Sequence, residues 1–246
     1  MELRIIGSSS AGNSYLLDNG QESLLVECGC KWSSILKRAD FAVSRIRGAI
    51  ISHEHGDHAG AIKNAVKSQI NVFSSKGTFD ALQMPASRLV HPVTALDTFQ
   101  VGGFRIMPFD VQHDAAEPFG FLIHHAETGF ILFATDTYYL KYTFPGLNNI
   151  MIECNYEQSL LDANVASGIV SPAQQRRTMR SHMSFETCRR TLLANDLTDV
   201  NNIVLIHLSP QNSHAATFRR DIAAATGKNV FVAEPNKNII FNKTPI

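Results

Sequence analysis

Short apolar runs separated by turn residues dominate this chain. Leu3–Ile6, Ser14–Leu17 and Ser23–Val26 predict strands, with Gly7–Gly12 and Asp18-Asn19-Gly20 supplying the turns between them. Trp32, Ile35 and Leu36 share one face of a helix predicted over Trp32–Arg38. Ala49–Ile51 and Ile70–Phe73 predict further strands, followed by a helix near Lys76–Leu82. Asp97–Gln100, Phe104–Phe109, Phe119–His124 and Phe130–Phe133 predict a run of strands, and His91, before Pro92, a turn. In the second half Asn149–Ile152 and Ile203–Ile206 predict strands, as do Val230–Val232 and Ile239–Phe241. Helices are predicted near Tyr156–Val165, Pro172–Arg180, Phe185–Leu193 and Ser213–Ala225. Strands, helices, then strands again in each half predict an α/β fold of two packed sheets with helices outside. No low-complexity linker interrupts this pattern, so residues 1–246 are read as one domain.

One segment departs from ordinary patterning. After the apolar run Gly48-Ala49-Ile50-Ile51-Ser52 come His53, Glu54, His55, Gly56, Asp57 and His58. Imidazole nitrogens and a carboxylate oxygen are the ligands that zinc and similar divalent metals prefer. Alternate residues of an extended segment share a face, so His53 and His55 can point together. Asp57 and His58, beyond Gly56, can turn to a second point, and one loop can thus serve two metals. Further donors stand where apolar strands end: His113 after Phe104–Phe109, Asp136 after Phe130–Phe133, and His207 after Ile203–Leu205.

The His-x-His-x-Asp-His pattern resembles the metal-binding signature of the metallo-β-lactamase superfamily. Ser8-Ser9-Ser10-Ala11-Gly12-Asn13-Ser14, Glu153-Cys154-Asn155, His182-Met183-Ser184 and His207-Leu208-Ser209 are similar to its nuclease-like WalJ/YycJ-type branch. The resemblance implies an αββα sandwich of two mixed β-sheets with the metals at one rim. It implies that His53, His55 and His113 hold one metal, that Asp57, His58 and His207 hold the other, and that Asp136 bridges them. It also implies that a metal-bridging hydroxide attacks the substrate, with Asp57 orienting it and His182 giving a proton to the leaving group. His182 precedes a predicted helix with Ser184 as its N-cap. The family's usual aspartate before Cys-Gly is replaced here by Glu27, a residue that orients ligands rather than binding metal. The branch's usual glycine after Thr-Asp-Thr is replaced by Tyr138-Tyr139.

Charge changes the picture less than the motif does. Lys+Arg and Asp+Glu number 22 each, a net charge of zero, so there is no global pull toward nucleic acid. Local positive charge surrounds His182: Arg176, Arg177 and Arg180 precede it, and Arg189 and Arg190 follow. These arginines are either a grip on a phosphate backbone or a solvated helical face. Tyr138, Tyr139 and Tyr142 are candidates for stacking bases. The expected activity is hydrolysis of a phosphodiester, DNA before RNA, in the manner of an exonuclease. The expected cofactors are two divalent ions, zinc first, manganese or iron otherwise. The alternative is a small substrate, a cyclic nucleotide, thioester or lactone, on the same fold. No apolar run approaches the ~18–20 residues of a membrane span. The N-terminus does not read as a signal peptide. The four cysteines, Cys28, Cys30, Cys154 and Cys188, read as free thiols. These features predict a cytoplasmic protein without membrane association and leave its oligomeric state open.

Overall fold

The computed structural model describes residues 1–244. One sheet contains β1 (Glu2–Ser9), β2 (Gly12–Asp18), β3 (Ser23–Val26), β4 (Ile46–Ile50), β5 (Val72–Ser74) and β6 (Val90–Pro92). The second contains β7 (Phe99–Val101), β8 (Phe104–Asp110), β9 (Phe119–His125), β10 (Gly129–Ala134), β11 (Leu147–Glu153), β12 (Asn202–Ile206) and β13 (Asn229–Val232). The last strand, β14 (Asn238–Ile240), returns to the first sheet beside β1, with Leu3 opposite Ile239. The two seven-stranded sheets run in the orders β14-β1-β2-β3-β4-β5-β6 and β13-β12-β11-β10-β9-β8-β7. Each is mixed: β3 to β6 and β10 to β13 pair in parallel, and the rest antiparallel.

Period-two alternation divides the apolar residues among three layers. Leu24, Val26 and Ile50 point inward to meet Ile131, Phe133, Val204 and Ile206 from the facing sheet. Their neighbours Leu25, Ala49 and Ile51 point outward to Ile35, Ile62 and Phe79. These three lie on α1 (Trp32–Arg38), α3 (Ile62–Lys67) and α4 (Lys76–Ala81); between α1 and α3 lies the short α2 (Gly56–Ala59). On the far face, Leu132, Ile150, Ile203 and Leu205 point outward to Leu192, Phe218 and Ile222. Those residues belong to α7 (Phe185–Ala194) and α8 (Ala215–Thr226), which follow α5 (Gln158–Ala166) and α6 (Pro172–Ser181). Strands covered on both faces, such as β11 and β12, are buried along their whole length, which explains the apolar runs Ile150–Ile152 and Ile203–Ile206 within them. The result is the expected αββα sandwich.

Three local features differ from expectation. β1 continues through Ser9, because Ser8 pairs with Asn13 and Ser9 with Gly12, so only Ser10-Ala11 turns. His91 is not a turn residue: it lies in β6, opposite Phe73, with the two rings stacked 4.7 Å apart. Asp57 and His58 lie on the single-turn helix α2 rather than in an open loop.

Phe133 is fully buried between the sheets, edge-on to Tyr15 at 5.9 Å and stacked with Phe121 at 6.5 Å. Phe133→Ala should lower unfolding free energy in urea by about 3–5 kcal/mol. A loss under about 1 kcal/mol would show that the two sheets can close over the gap.

Candidate metal centre

The C-terminal ends of β4, β10, β11 and β12 all reach one rim, the position where parallel strands present loops to ligands. His53 lies just beyond β4, Asp136 beyond β10 and His207 beyond β12, while His113 follows the antiparallel β8. The rim is tied across the sandwich, since the Phe119 amide donates to the Ser52 carbonyl at 3.0 Å. The motif loop is stitched to the segment after β3. Cys28 N–H donates to the His58 carbonyl at 2.7 Å, and Ala61 N–H to the Cys28 carbonyl at 2.7 Å. Gly29 lies between them, where a Cβ would run into the Asp57 carbonyl oxygen. Glu27, Asp136 and His207 have positive φ, +65°, +44° and +53°. Left-handed backbone at non-glycine residues costs of order 1–3 kcal/mol each and clusters at functional sites.

The seven expected ligands converge. His53, His55 and His113 bring three ring nitrogens together: His53 Nε2 is 3.0 Å and His113 Nε2 3.2 Å from His55 Nδ1. Asp57, His58 and His207 form a second group, with His58 Nε2 3.3 Å from Asp57 Oδ2. Asp136 stands between, one oxygen toward each group. Its Oδ2 faces His113 Nε2 at 3.5 Å and His53 Nε2 at 3.9 Å. Its Oδ1 faces His58 Nε2 at 3.3 Å and His207 Nε2 at 3.7 Å.

Partners behind the rings fix which nitrogen is free. His113 Nδ1 donates to the Ser181 carbonyl at 2.8 Å, and His207 Nδ1 to Asn13 Oδ1 at 3.0 Å. Each therefore offers an unprotonated Nε2 to the centre. His58 Nδ1 faces the buried carboxylate of Glu27 at 3.4 Å. The longer side chain thus fills the orienting position behind His58. Asn13 Nδ2 lies 3.3 Å from Asp57 Oδ2 and 3.1 Å from His58 Nε2, so this one amide touches all three members of the second group. Asn13 carries no charge and sits far from its partners in sequence, so its type alone gave no sign of this role.

Burial and neighbouring charge divide the histidines. Burial would raise the Asp136 carboxyl, but His207, His58 and His53 hold it well below the usual carboxylate range. Burial pushes His53, His113 and His207 down, toward the neutral imidazole a metal requires. Burial would also lower His58, yet Asp136, Asp57 and Glu27 lift it well above the ordinary value. A buried carboxylate among five imidazole rings, with no lysine or arginine beside it among the described residues, fits a pair of divalent cations. Zinc, manganese and iron all suit this nitrogen and oxygen donor set.

His182 stands beside the ligands, its ring stacked on His207 at 5.4 Å and its Nδ1 bonded to Glu153 Oε1 at 2.7 Å. Ser184 caps α7 by accepting from Thr187 N–H at 3.2 Å, which fixes the backbone after His182. Burial would lower the His182 imidazole, but Glu153, then Asp136 and Asp114, raise it to about 9. Glu153 ends β11 and also accepts from the Thr137 and Met183 amides at 2.8 and 3.1 Å. Its place at a strand end before Cys154-Asn155 was visible in sequence; its pairing with His182 was not.

A polar cavity of about 460 Å³ opens over the centre. Gln174, Arg177 and Thr178 of α6 form one wall, and the segment from Leu208 to Asn212 forms the other. Of the three arginines on α6, Arg177 lines this cavity and is held at Nε by Asp114 Oδ2 at 3.0 Å, while Arg176 and Arg180 do not line it. Helical spacing explains the difference: positions 174, 177 and 178 share a face that 176 and 180 do not. Tyr138 also lies outside it, along a separate cavity.

The architecture is the metallo-β-lactamase fold, and the cluster of donors at its rim resembles the site of that superfamily. The model of the metallo-beta-lactamase superfamily matches residues 9–72. The chain is 26% identical over 240 residues to exodeoxyribonuclease YycJ of Bacillus anthracis, covering 91% of this chain and 88% of that protein. It superposes on the metallo-beta-lactamase fold protein YhfI from Bacillus subtilis with a TM-score of 0.74 and 17% identity, over 97% and 99% of the two chains. Zn(2+)-bound PqqB from Methylobacterium extorquens is similar in fold, with a TM-score of 0.72 and 14% identity over 98% and 100% of the chains.

Two outcomes follow for the supporting residues. Asn13→Ala should weaken binding of the more loosely held of two zinc ions by about 10–100-fold, read by chelator competition; unchanged affinity would leave Asn13 a purely structural amide. In metal-free protein, His182 stabilises the fold fully below its unfolded value of about 6.5, and this stabilisation is lost as pH rises through about 9. Glu153→Gln should flatten that fall in urea stability between those two pH values. An equally steep fall in the variant would place its origin elsewhere.

Proposed function

We propose that the protein hydrolyses phosphodiesters with two divalent cations, zinc before manganese or iron, and that its substrate is DNA before RNA, attacked in the manner of an exonuclease. The observation that carries this is the Asp136 carboxylate, with one oxygen turned to each histidine group. His53, His55 and His113 would hold one cation and Asp57, His58 and His207 the other, with Asp136 between them. When bound, such a pair supplies Lewis-acid charge for phosphate oxygens and acidifies a water toward neutrality.

The chain's own residues supply the rest. Asp57 lines the cavity and is lowered overall: burial would raise it, but His58 keeps it ionised. It can accept a hydrogen bond from the attacking water and orient it. His182 lines the cavity with its Nδ1–H held by Glu153, so that a second proton, on Nε2, is the one a leaving alkoxide can take. Arg177, fixed through Nε by Asp114, keeps its terminal nitrogens for a phosphate oxygen. The similarity to an exodeoxyribonuclease over most of both chains supports nucleic acid as substrate. The zero net charge and the position of Arg176 and Arg180 outside the cavity favour a second reading, a small cyclic nucleotide, thioester or lactone.

End-labelled DNA incubated with zinc- or manganese-loaded protein should be degraded progressively, and the Asp57→Ala, His58→Ala double variant should lose at least about a hundredfold in rate. A parent that binds metal yet leaves DNA intact while opening a cyclic nucleotide or thioester would hand the function to the second reading.

A further inference from the structure

A second cavity, of about 550 Å³, is lined by segments that follow Asp136 and His182 closely in the chain. One wall is the segment from Tyr138 to Thr143, which begins two residues after Asp136; the other is α7, which begins three residues after His182. Both walls therefore grow out of the centre itself. Tyr138 and Tyr139 are 43% and 53% exposed, although large aromatic surface is normally withdrawn from water. Their backbone is not loose. Tyr138 N–H donates to the Gln112 carbonyl at 3.2 Å, and Thr137 Oγ1 donates to the Tyr139 carbonyl at 2.7 Å. Thr137 N–H is held in turn by Glu153 at 2.8 Å. Exposed rings on a pinned backbone form a ready-made stacking platform.

Charge at the rim points to the occupant. Glu186 is engaged by Arg189 through two hydrogen bonds of 3.0 Å, which leaves Arg190 at 3.8 Å, beyond hydrogen-bond reach. Arg190 lines the cavity with an exposed guanidinium, while Lys141, 5.0 Å from the Tyr142 ring centre, is already paired with Asp110 at 3.4 Å, which leaves Arg190 as the cation for a phosphate. Flat π faces with cations at their edge match a base and its phosphate. We propose that this cavity is a second subsite, in which a single-stranded nucleic acid leaving the metal centre stacks a base on Tyr138 and Tyr139 with its phosphate against Arg190. The subsite rests on the phosphodiester reading above.

The probe is a short single-stranded phosphorothioate oligonucleotide carrying 2-aminopurine, added to zinc-loaded full-length protein. Binding should quench the 2-aminopurine at one position along the strand. Tyr138→Ala with Tyr139→Ala should abolish that quenching and weaken binding about fivefold or more, and the corresponding Phe pair should restore both. Arg190→Ala, at an exposed site, should lower the salt dependence of binding by about one unit of log–log slope. Absence of quenching in the parent, or equal quenching in the Ala pair, overturns the subsite. Hydrolysis of bis-p-nitrophenyl phosphate by the parent reports separately on the phosphodiester reading, which fails if no phosphodiester is cut.

Discussion

A carboxylate sealed from water with no lysine or arginine at hand must draw its counter-charge from elsewhere. Asp136 is 3% exposed, and its ion-pairing partners among the described residues are all imidazoles. An isolated charge in that position would cost far more than the whole net stability of a domain of this size. The site is therefore arranged around cations, either protons on histidine or metal ions, and the surrounding chain is shaped to deliver imidazoles to one point. Positive φ at Glu27, Asp136 and His207 is the local strain accepted for that delivery.

The sandwich makes the arrangement possible because its parallel strands end at a common rim. β4, β10, β11 and β12 contribute apolar residues to the layers on both of their faces, so the residues just beyond them are placed by a packed core rather than by their own loops. Partners behind the rings complete the effect: Ser181 and Asn13 hydrogen-bond to His113 and His207, and the Glu27 carboxylate faces His58 at 3.4 Å. The geometry of the cluster is thus specified in part by groups behind its rings.

Much of this was legible in the sequence. Six consecutive residues carry four donors, and His113, Asp136 and His207 each follow an apolar run of strand length, so both the fold class and the donors that converge can be read without coordinates. What was not legible has physical causes. A three-residue edge strand such as β6 shows no period, which is why His91 reads as a turn. A single helical turn such as α2 is likewise too short to show one. Asn13 and Glu153 act through partners 194 and 29 residues away, and neither residue type is chemically distinctive. The arginines of α6 illustrate a signal present but unread: helical spacing alone separates Arg177 from Arg176 and Arg180. Tyr138 shows the opposite hazard, since nearness to Asp136 along the chain does not place its ring in the same cavity.

The hydrogen bond from His207 to Asn13 joins residues from opposite ends of the polypeptide, and the His207 amide is also held by Ser8 Oγ at 2.9 Å. During synthesis the ribosome releases the His53–His58 motif long before β12. A nascent chain would carry half a site, able to chelate weakly but lacking the carboxylate and the last imidazole. The cluster would therefore be completed late, when the segments that carry Asn13 and His207 have both docked.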